Sequence, residues 1–540
     1  MAKGWHKPGK ASLAGLVLAA ALFGLAFAAL AALTNAAGGS PLARSADDLD
    51  YIRHVAQFTI LQAAISAGLA LAVAIPTARV CWRRISAIPA GLLISFSFIP
   101  VILPTTVAAT GLIGVWGQSG FVSQLLVFAG AERLPPIYGI GAVLLAHVFF
   151  NAPLMMRVLT GALAGIPESH WRQSSQWGLG NWQRFCLIEW PALRRVIPGL
   201  LALVFLLCFT SFALVLMLGG GPAVTTLEVS IYTALRFDFD LAGAARLACL
   251  QLVICAVVVM GLAAFSGPSW AAAPSRHHSP IQQRGDNRAA QRALDGTILA
   301  AFALLTVLPV VAVVIRGIGP QIITVLGWPV FWSAAMTSVS VALASGLLAT
   351  ACALLMATAR TRRVRAGYSV WWLDVSVSLY LAVSAIVLGT GLFILLRPVT
   401  NLFDLAPALV LLANMLVALP FAYRVIEGRM ASLAVTHDRL CAGLGIHGWR
   451  RLRWITLPAL APEIGYASGL SAALSLGDMT VIALFGSQQF QTLPWLLYQT
   501  MARYRSGEAA AIALLLLCLV IGIFMLFQAI SRKVGRTTHA

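Results

Sequence analysis

Twelve apolar stretches, most of about twenty residues or more, recur along this chain, near 13–34, 55–78, 87–115, 137–160, 196–217, 241–265, 294–315, 331–358, 370–396, 405–426, 462–485 and 508–530. Stretches of that length leave few folds open. An α-helix of about 20 apolar residues crosses a hydrocarbon layer about 30 Å thick. Inside that layer a backbone must satisfy its own N–H and C=O groups. The runs therefore predict an all-α polytopic membrane protein of about twelve transmembrane helices. Composition agrees, with 60% hydrophobic and 10% charged residues against about 45–50% and 25% in soluble domains.

A net charge of +19 would suggest nucleic-acid binding in a soluble protein, but here it follows the membrane. Lys and Arg gather in alternate gaps: Lys3/Lys7/Lys10, Arg79/Arg83/Arg84, Arg157 to Arg195, Arg276 to Arg292, Arg360 to Arg365, Arg424 to Arg453 and Arg532/Lys533/Arg536. The other gaps hold few cations and more carboxylates than the basic ones, among them Asp47, Asp48, Asp50, Glu132, Asp238, Asp240 and Asp404. This is the positive-inside pattern. It predicts a multi-pass membrane protein, in contact with lipid, with both termini cytoplasmic and no nucleic-acid partner. Leu13–Leu33 is longer than the apolar core of a signal peptide, about 7–15 residues, and reads as an uncleaved first span. The eight cysteines avoid the outer gaps, and no Cys/His spacing suits a metal. The expectation is no disulfide framework, no metal and no cofactor.

The polar, Pro- and Ser-rich segment Ser266–Arg292 splits the runs six and six. It predicts an N-terminal half over 1–265, a cytoplasmic linker over 266–293 and a C-terminal half over 294–540. The halves repeat one another. Gly178, Trp182 and Pro191 in GLGNWQRFCLIEWP are matched by Gly445, Trp449 and Pro458 in GIHGWRRLRWITLP, each pair 267 positions apart. The same offset pairs Pro153 with Pro420, Arg157 with Arg424 and Gly161 with Gly428. Further on, Thr226-Leu227 pairs with Thr492-Leu493 and Tyr232 with Tyr498, at an offset of 266. Each motif keeps its sidedness, so the repeats are parallel.

Both loops fall between the fourth and fifth spans of their half, and their chemistry suits docking. A short helix is expected over about Pro167–Trp177 and Ser432–Leu444, then a sharp turn at Gly178 or Gly445 that a side chain would obstruct. Trp182/Phe185 and Trp449/Leu452 then face one side of a second short helix, opposite Arg184 or Arg450/Arg451/Arg453. Pro191 and Pro458 can open the next membrane helix, where a missing N–H costs little. Large aromatic side chains in such a loop are natural anchors for a partner's groove; the alternative is a seat at the lipid interface, and the repeated Gly-x3-Trp-x8-Pro spacing favours docking.

The spacing of 13 from glycine to proline in both loops resembles the coupling loop of ABC-importer permeases, EAA-x3-G-x9-I-x-LP. Two loops in one chain resemble the fused permeases. The segments LLAHVFFNAPLMMRVL, LGGGPAVTTLEVSIYTALRFDFDLAGAARLA and LSLGDMTVIALFGSQQFQTLPWLLYQTMARYRSGEAA are most similar to those of thiamine and thiamine pyrophosphate importers, with the ferric-iron permeases next. This resemblance implies the type I importer permease fold, two copies of a cytoplasmic ATPase on the loops, and a periplasmic binding protein that delivers substrate. Arg172 and Arg439 stand where the family pattern has Glu, so an ion pair made by that Glu is not expected here.

No P-loop Lys-Ser/Thr follows Gly219-Gly220-Gly221-Pro222, and no nucleophile–base set appears. The chain is expected to be no enzyme, with ATP hydrolysed by a separate subunit. Asp478 lies inside an apolar run, where a carboxylate is costly and usually faces a cavity or a partner. It is a candidate for the translocation path, alongside a helix-packing role. His147 and Asn151 are candidates for the same path or for interhelical hydrogen bonds. Pro100 and Pro104 are expected to interrupt the third span. Twelve helices in two halves also describe the major facilitators, but their basic loop lies between spans two and three, where this chain has RVCWRRIS.

Overall fold

The computed structural model describes residues 10–38, 46–84, 99–132, 134–265, 289–398, 404–446, 448–487 and 489–536. Every regular element among them is helical. The first half contains α1 (Lys10–Gly38), α2 (Ala46–Arg83), α3 (Thr105–Trp116), α4 (Ile140–Ala164), α5 (Glu168–Gln176), α6 (Ile197–Phe209), α7 (Ala213–Leu218), α8 (Leu227–Arg236) and α9 (Leu241–Phe265). The second contains α10 (Ala289–Gly317), α11 (Pro329–Arg365), α12 (Trp371–Ala382), α13 (Ala385–Leu396), α14 (Ala406–Gly443), α15 (Ala461–Gly477), α16 (Thr480–Phe485), α17 (Leu493–Ala502) and α18 (Ser506–Arg536). The stretch 266–288 expected as a linker lies outside the described residues; from Ala289 the chain is already helical.

Among the described residues nine helices are long and apolar enough to cross a membrane, or eleven if two bent pairs each count as one span. The expected twelve are not all continuous. The third and fifth spans of both halves are broken. Pro104 ends the short helix Ile99–Ile102 and caps α3, as the sequence predicts. The corresponding break in the second half is Val383–Ser384, between α12 and α13. The fifth spans break at Thr210–Phe212 and at Asp478–Met479, equivalent positions. A hydropathy profile does not register such breaks, because the pieces on either side are equally apolar.

Each half is built around its second and fourth spans, α2 with α4 and α11 with α14. Small residues let these backbones approach closely: Ala63, Ala67, Ala70, Ala74 and Ala78 form a fully buried stripe on α2. Packing of this kind, rather than a hydrophobic drive, holds helices together in lipid. The halves exchange their first helices. α1 packs on α11 and α13 of the second half, and α10 packs on α3 and α2 of the first. The exchange uses the same residue twice. A methyl group on Gly111 of α3 would lie 2.5 Å from the Pro309 carbonyl oxygen of α10, and one on Gly391 of α13 would lie 3.0 Å from the Ala29 carbonyl oxygen of α1. Gly111 and Gly391 are 280 positions apart, as are Ala29 and Pro309.

A second repeated contact holds α8 and α17. The Leu227 N–H donates to the Thr59 hydroxyl at 3.0 Å, and the Leu493 N–H donates to the Ser338 hydroxyl at 2.8 Å. Each bond satisfies one of the unpaired N–H groups at a helix start.

Candidate functional site: the paired loops and the broken spans

Both loops turn as their glycines require. Gly178 has φ +63° and Gly445 φ +66°, and no atom lies within 4 Å of a methyl group placed on either. The requirement is therefore conformational and not one of space. Leu179 N–H reaches the Ser174 carbonyl and Gly178 N–H the Ser175 carbonyl; in the second loop Ile446 N–H reaches the Cys441 carbonyl. These are the closing bonds of a glycine-terminated helix. Beyond the glycines the two loops stay matched turn by turn. Asn181–Arg184 and Gly448–Arg451 are single helical turns, each continued by a five-residue π-helical segment, Phe185–Glu189 or Leu452–Thr456. Such wide turns are rare and are frequent at functional sites.

Pro191 and Pro458 do not open the membrane helices as expected. Pro191 lies in the one-turn helix Trp190–Leu193 and Pro458 in Leu457–Ala459. The π-segment delays the start of the long helix, and a first-turn proline still loses nothing by lacking an N–H. In the first half the chain then bends by 62° before α6.

The aromatic residues of the first loop form a ledge. The Trp182 and Phe185 ring centroids are 5.6 Å apart, and those of Phe185 and Trp190 are 5.9 Å apart. The Arg79 guanidinium carbon lies 4.4 Å from the Phe185 centroid while Arg79 pairs with buried Glu189, so Phe185 is held from behind by a cation. Trp182 is 72% exposed, as is Trp177. In the second loop Leu452 is partly buried and Trp454 is 70% exposed; the side chains of Trp449 and Arg439 are not among the described ones. Arg172 pairs with Glu168 one turn earlier in α5, at 2.7 Å.

A polar chain, unforeseen from the sequence, ties the first loop to the second half. Arg184 donates to Asn181 at 2.6 Å, Asn181 to Gln291 at 2.6 Å, and Gln291 to Asp295 at 2.9 Å. Asp295 in α10 also accepts from Arg83 at 2.9 Å and Arg84 at 3.1 Å, both at the end of α2. It is 2% exposed. Around the second loop the visible ion pairs run differently. Near it, Arg360 pairs with Asp374 at 2.9 Å and Glu427 at 2.6 Å, and Tyr423 donates to Asp374 at 3.0 Å. All four residues belong to the second half. The sequence carries one signal for the first network: Asp295 is an acid at the otherwise basic and polar entry to an apolar run.

The candidate pathway residues sit apart from the loops. His147 is buried; its Nδ1 lies 2.9 Å from the Ser66 hydroxyl, and Asn151 donates to the His147 carbonyl at 2.9 Å and to Cys208 Sγ at 3.4 Å. These contacts join α2, α4 and α6 of one half. Asp478 stands at the break between α15 and α16, where its carboxylate accepts the N–H groups of Thr480 at 3.1 Å and Val481 at 3.3 Å. A methyl group on the adjacent Gly477 would lie 3.1 Å from the Pro104 Cα, so broken spans of opposite halves meet there.

Residues 65–270 match the model of the family described as binding-protein-dependent transport system inner membrane component. The chain is 39% identical over 535 residues to the thiamine transport system permease protein of Brucella abortus (strain 2308), covering 97% of each. It is 40% identical over 539 residues to the protein of that name from Escherichia coli (strain K12), covering 99% of this chain and 97% of the relative. Similarity to the ferric transport system permease protein of Actinobacillus pleuropneumoniae is 28% over 159 residues, or 29% of this chain.

Proposed function

Since the chain belongs to the family of thiamine transport system permease proteins, inner membrane components of binding-protein-dependent transport systems, we infer that it is the pore of an ATP-driven importer of thiamine or its phosphates. The observation that carries this reading is full-length similarity at 39–40% identity, against a partial and weaker likeness to a ferric permease.

Two copies of a separate ATPase subunit dock on the two loops from the cytoplasm, where both termini also lie. Gly178 and Gly445 shape the sockets; Trp182, Phe185, Pro191, Trp449, Leu452 and Pro458 line and brace them. A periplasmic binding protein delivers cargo to the opposite face. The halves correspond to residues 1–265 and 294–540, joined through 266–293. Closure of the ATPase pair draws the loops together and moves α6 and α15, and the two-state rearrangement of packed helices opens the pore alternately. Cargo passes where the broken spans meet, near Asp478, because discontinuous helices place unpaired backbone groups along a cavity. His147 and Asn151 shape the adjoining wall through contacts within the first half.

Reconstitution in proteoliposomes tests the whole reading. The permease with its ATPase and binding protein is expected to take up labelled thiamine only with ATP. Uptake by the permease alone on a proton gradient would make it a secondary transporter. Preference for ferric ion over thiamine by the full complex would move the substrate to iron. Stable ATPase binding after deletion of both loops would remove the coupling role.

A further inference from the structure

Three carboxylates are buried among the described residues: Glu189, Glu228 and Asp295. Glu189 has Arg79, and Asp295 has Arg83 and Arg84. Glu228, at 0% exposure, has no ion-pair partner among the described residues. Gln251 of α9 donates to one of its oxygens, and Oε2 has no hydrogen-bond partner. Ser384 stands near the carboxylate, and because its hydroxyl oxygen accepts the Val387 N–H at 3.3 Å its own O–H is left to turn toward Glu228. An acid held away from water without a counter-charge is costly. The same position in the second half is Pro494, 266 residues on, so the repeat itself does not demand an acid.

The surroundings point to what the carboxylate waits for. Glu228 and Tyr232 are four residues apart on α8, on one face. The Tyr232 ring lies edge-on to Phe212 at 5.2 Å and to Phe237 at 5.7 Å. Tyr498, its repeat partner from the other half, lies near it, and Trp495 packs on Tyr498 at 5.3 Å. Phe212 belongs to the break in the fifth span, and Ser384 to the break in the third span of the opposite half. A carboxylate, a collar of aromatic rings and two helix breaks therefore converge where the halves meet. Aromatic faces attract organic cations, most strongly when desolvated.

We propose that Glu228, with the rings of Tyr232 and Phe212, is a cation-binding site on the translocation path that takes the positively charged ring of the cargo. With the three side chains buried, Gln251 holds the carboxylate; when the halves part, the cargo cation replaces Gln251 as its partner. The proposal rests on the thiamine reading, since thiamine carries a permanently cationic thiazolium ring.

The experiment is thiamine uptake and ATP hydrolysis measured together in proteoliposomes holding the permease, ATPase and binding protein. In Glu228→Gln, thiamine delivered per ATP hydrolysed is expected to fall tenfold or more, with part of the loss restored in Glu228→Asp. A ratio equal to that of the unaltered complex would overturn the proposal, because a purely packing role lowers uptake and hydrolysis together. If the Gln variant does not assemble, Tyr232→Phe and Tyr232→Leu decide the point: Phe keeps the ratio and Leu loses it, and equal ratios would overturn the site. Failure of the unaltered complex to take up thiamine is a separate outcome that removes the substrate reading.

Discussion

The two loops start from the same spacing and end in differently jointed structures. The first rides on a separate helix, α5, set off from α4 by Gly165-Ile166-Pro167, and leaves through a 62° bend over Arg194–Val196. The second is the uninterrupted end of α14, a helix of 38 residues, and only Leu460 parts its last turn from α15. Their anchors differ as well. The jointed loop is tied across to α10 of the other half through Asn181, Gln291 and Asp295, while the ion pairs beside the stiff one stay within its own half. The repeated residues thus set the local turn, and unrepeated neighbours decide how a push on that turn is carried away. One loop is a hinged piece fastened to both halves; the other is the end of a continuous lever.

The comparison can be broken most forcibly at Asp295. Asp295→Leu takes the shared buried carboxylate from two half-buried guanidinium groups and is expected to cost about 3–4 kcal/mol, read as a lowered Tm of the purified permease. Asp374→Leu leaves Arg360 paired with Glu427 and should cost less than half as much; equal losses would erase the asymmetry. Next comes Ala434→Pro, which places a proline in α14 at the position equivalent to Pro167. An interior proline costs about 3 kcal/mol and should reduce copurification of the ATPase, whereas Pro167→Ala should change stability by about 0.5 kcal/mol or less. Gly178→Val and Gly445→Val should each cost about 1–2 kcal/mol, and by the same amount in thermal unfolding, since neither glycine is crowded. Unequal values would show that one socket relies on more than its backbone angle. Smallest of all, Glu168→Gln removes an exposed pair worth about 0.5 kcal/mol or less, and its effect should vanish in high salt.

The sequence revealed the features that a few adjacent residues enforce. Glycine fixes a left-handed turn and proline an element boundary wherever they stand, so the paired loops and the Pro104 break were legible. The placement of Pro191 and Pro458 was not, because the π-helical segments beside them have no compositional mark. The Asp295 clamp was hidden for another reason: its arginines lie 211 and 212 positions away, and nothing in one chain records which distant residues meet. Thr210–Phe212 breaks a span as apolar as any other, so only the break beside Asp478 carried a sign in its charge.

The exchanged first helices also set an order of construction. α1 is made first, yet its seats on α11 and α13 emerge from the ribosome roughly 300 residues later. Until then α1 must wait in lipid with one flank open, and the Ala29 carbonyl has no Gly391 to lie against until the second half arrives. Neither half made alone can complete its own wall. Joining both in one polypeptide guarantees that the waiting helix meets one particular partner, and it removes the mispaired assemblies that two free subunits could form.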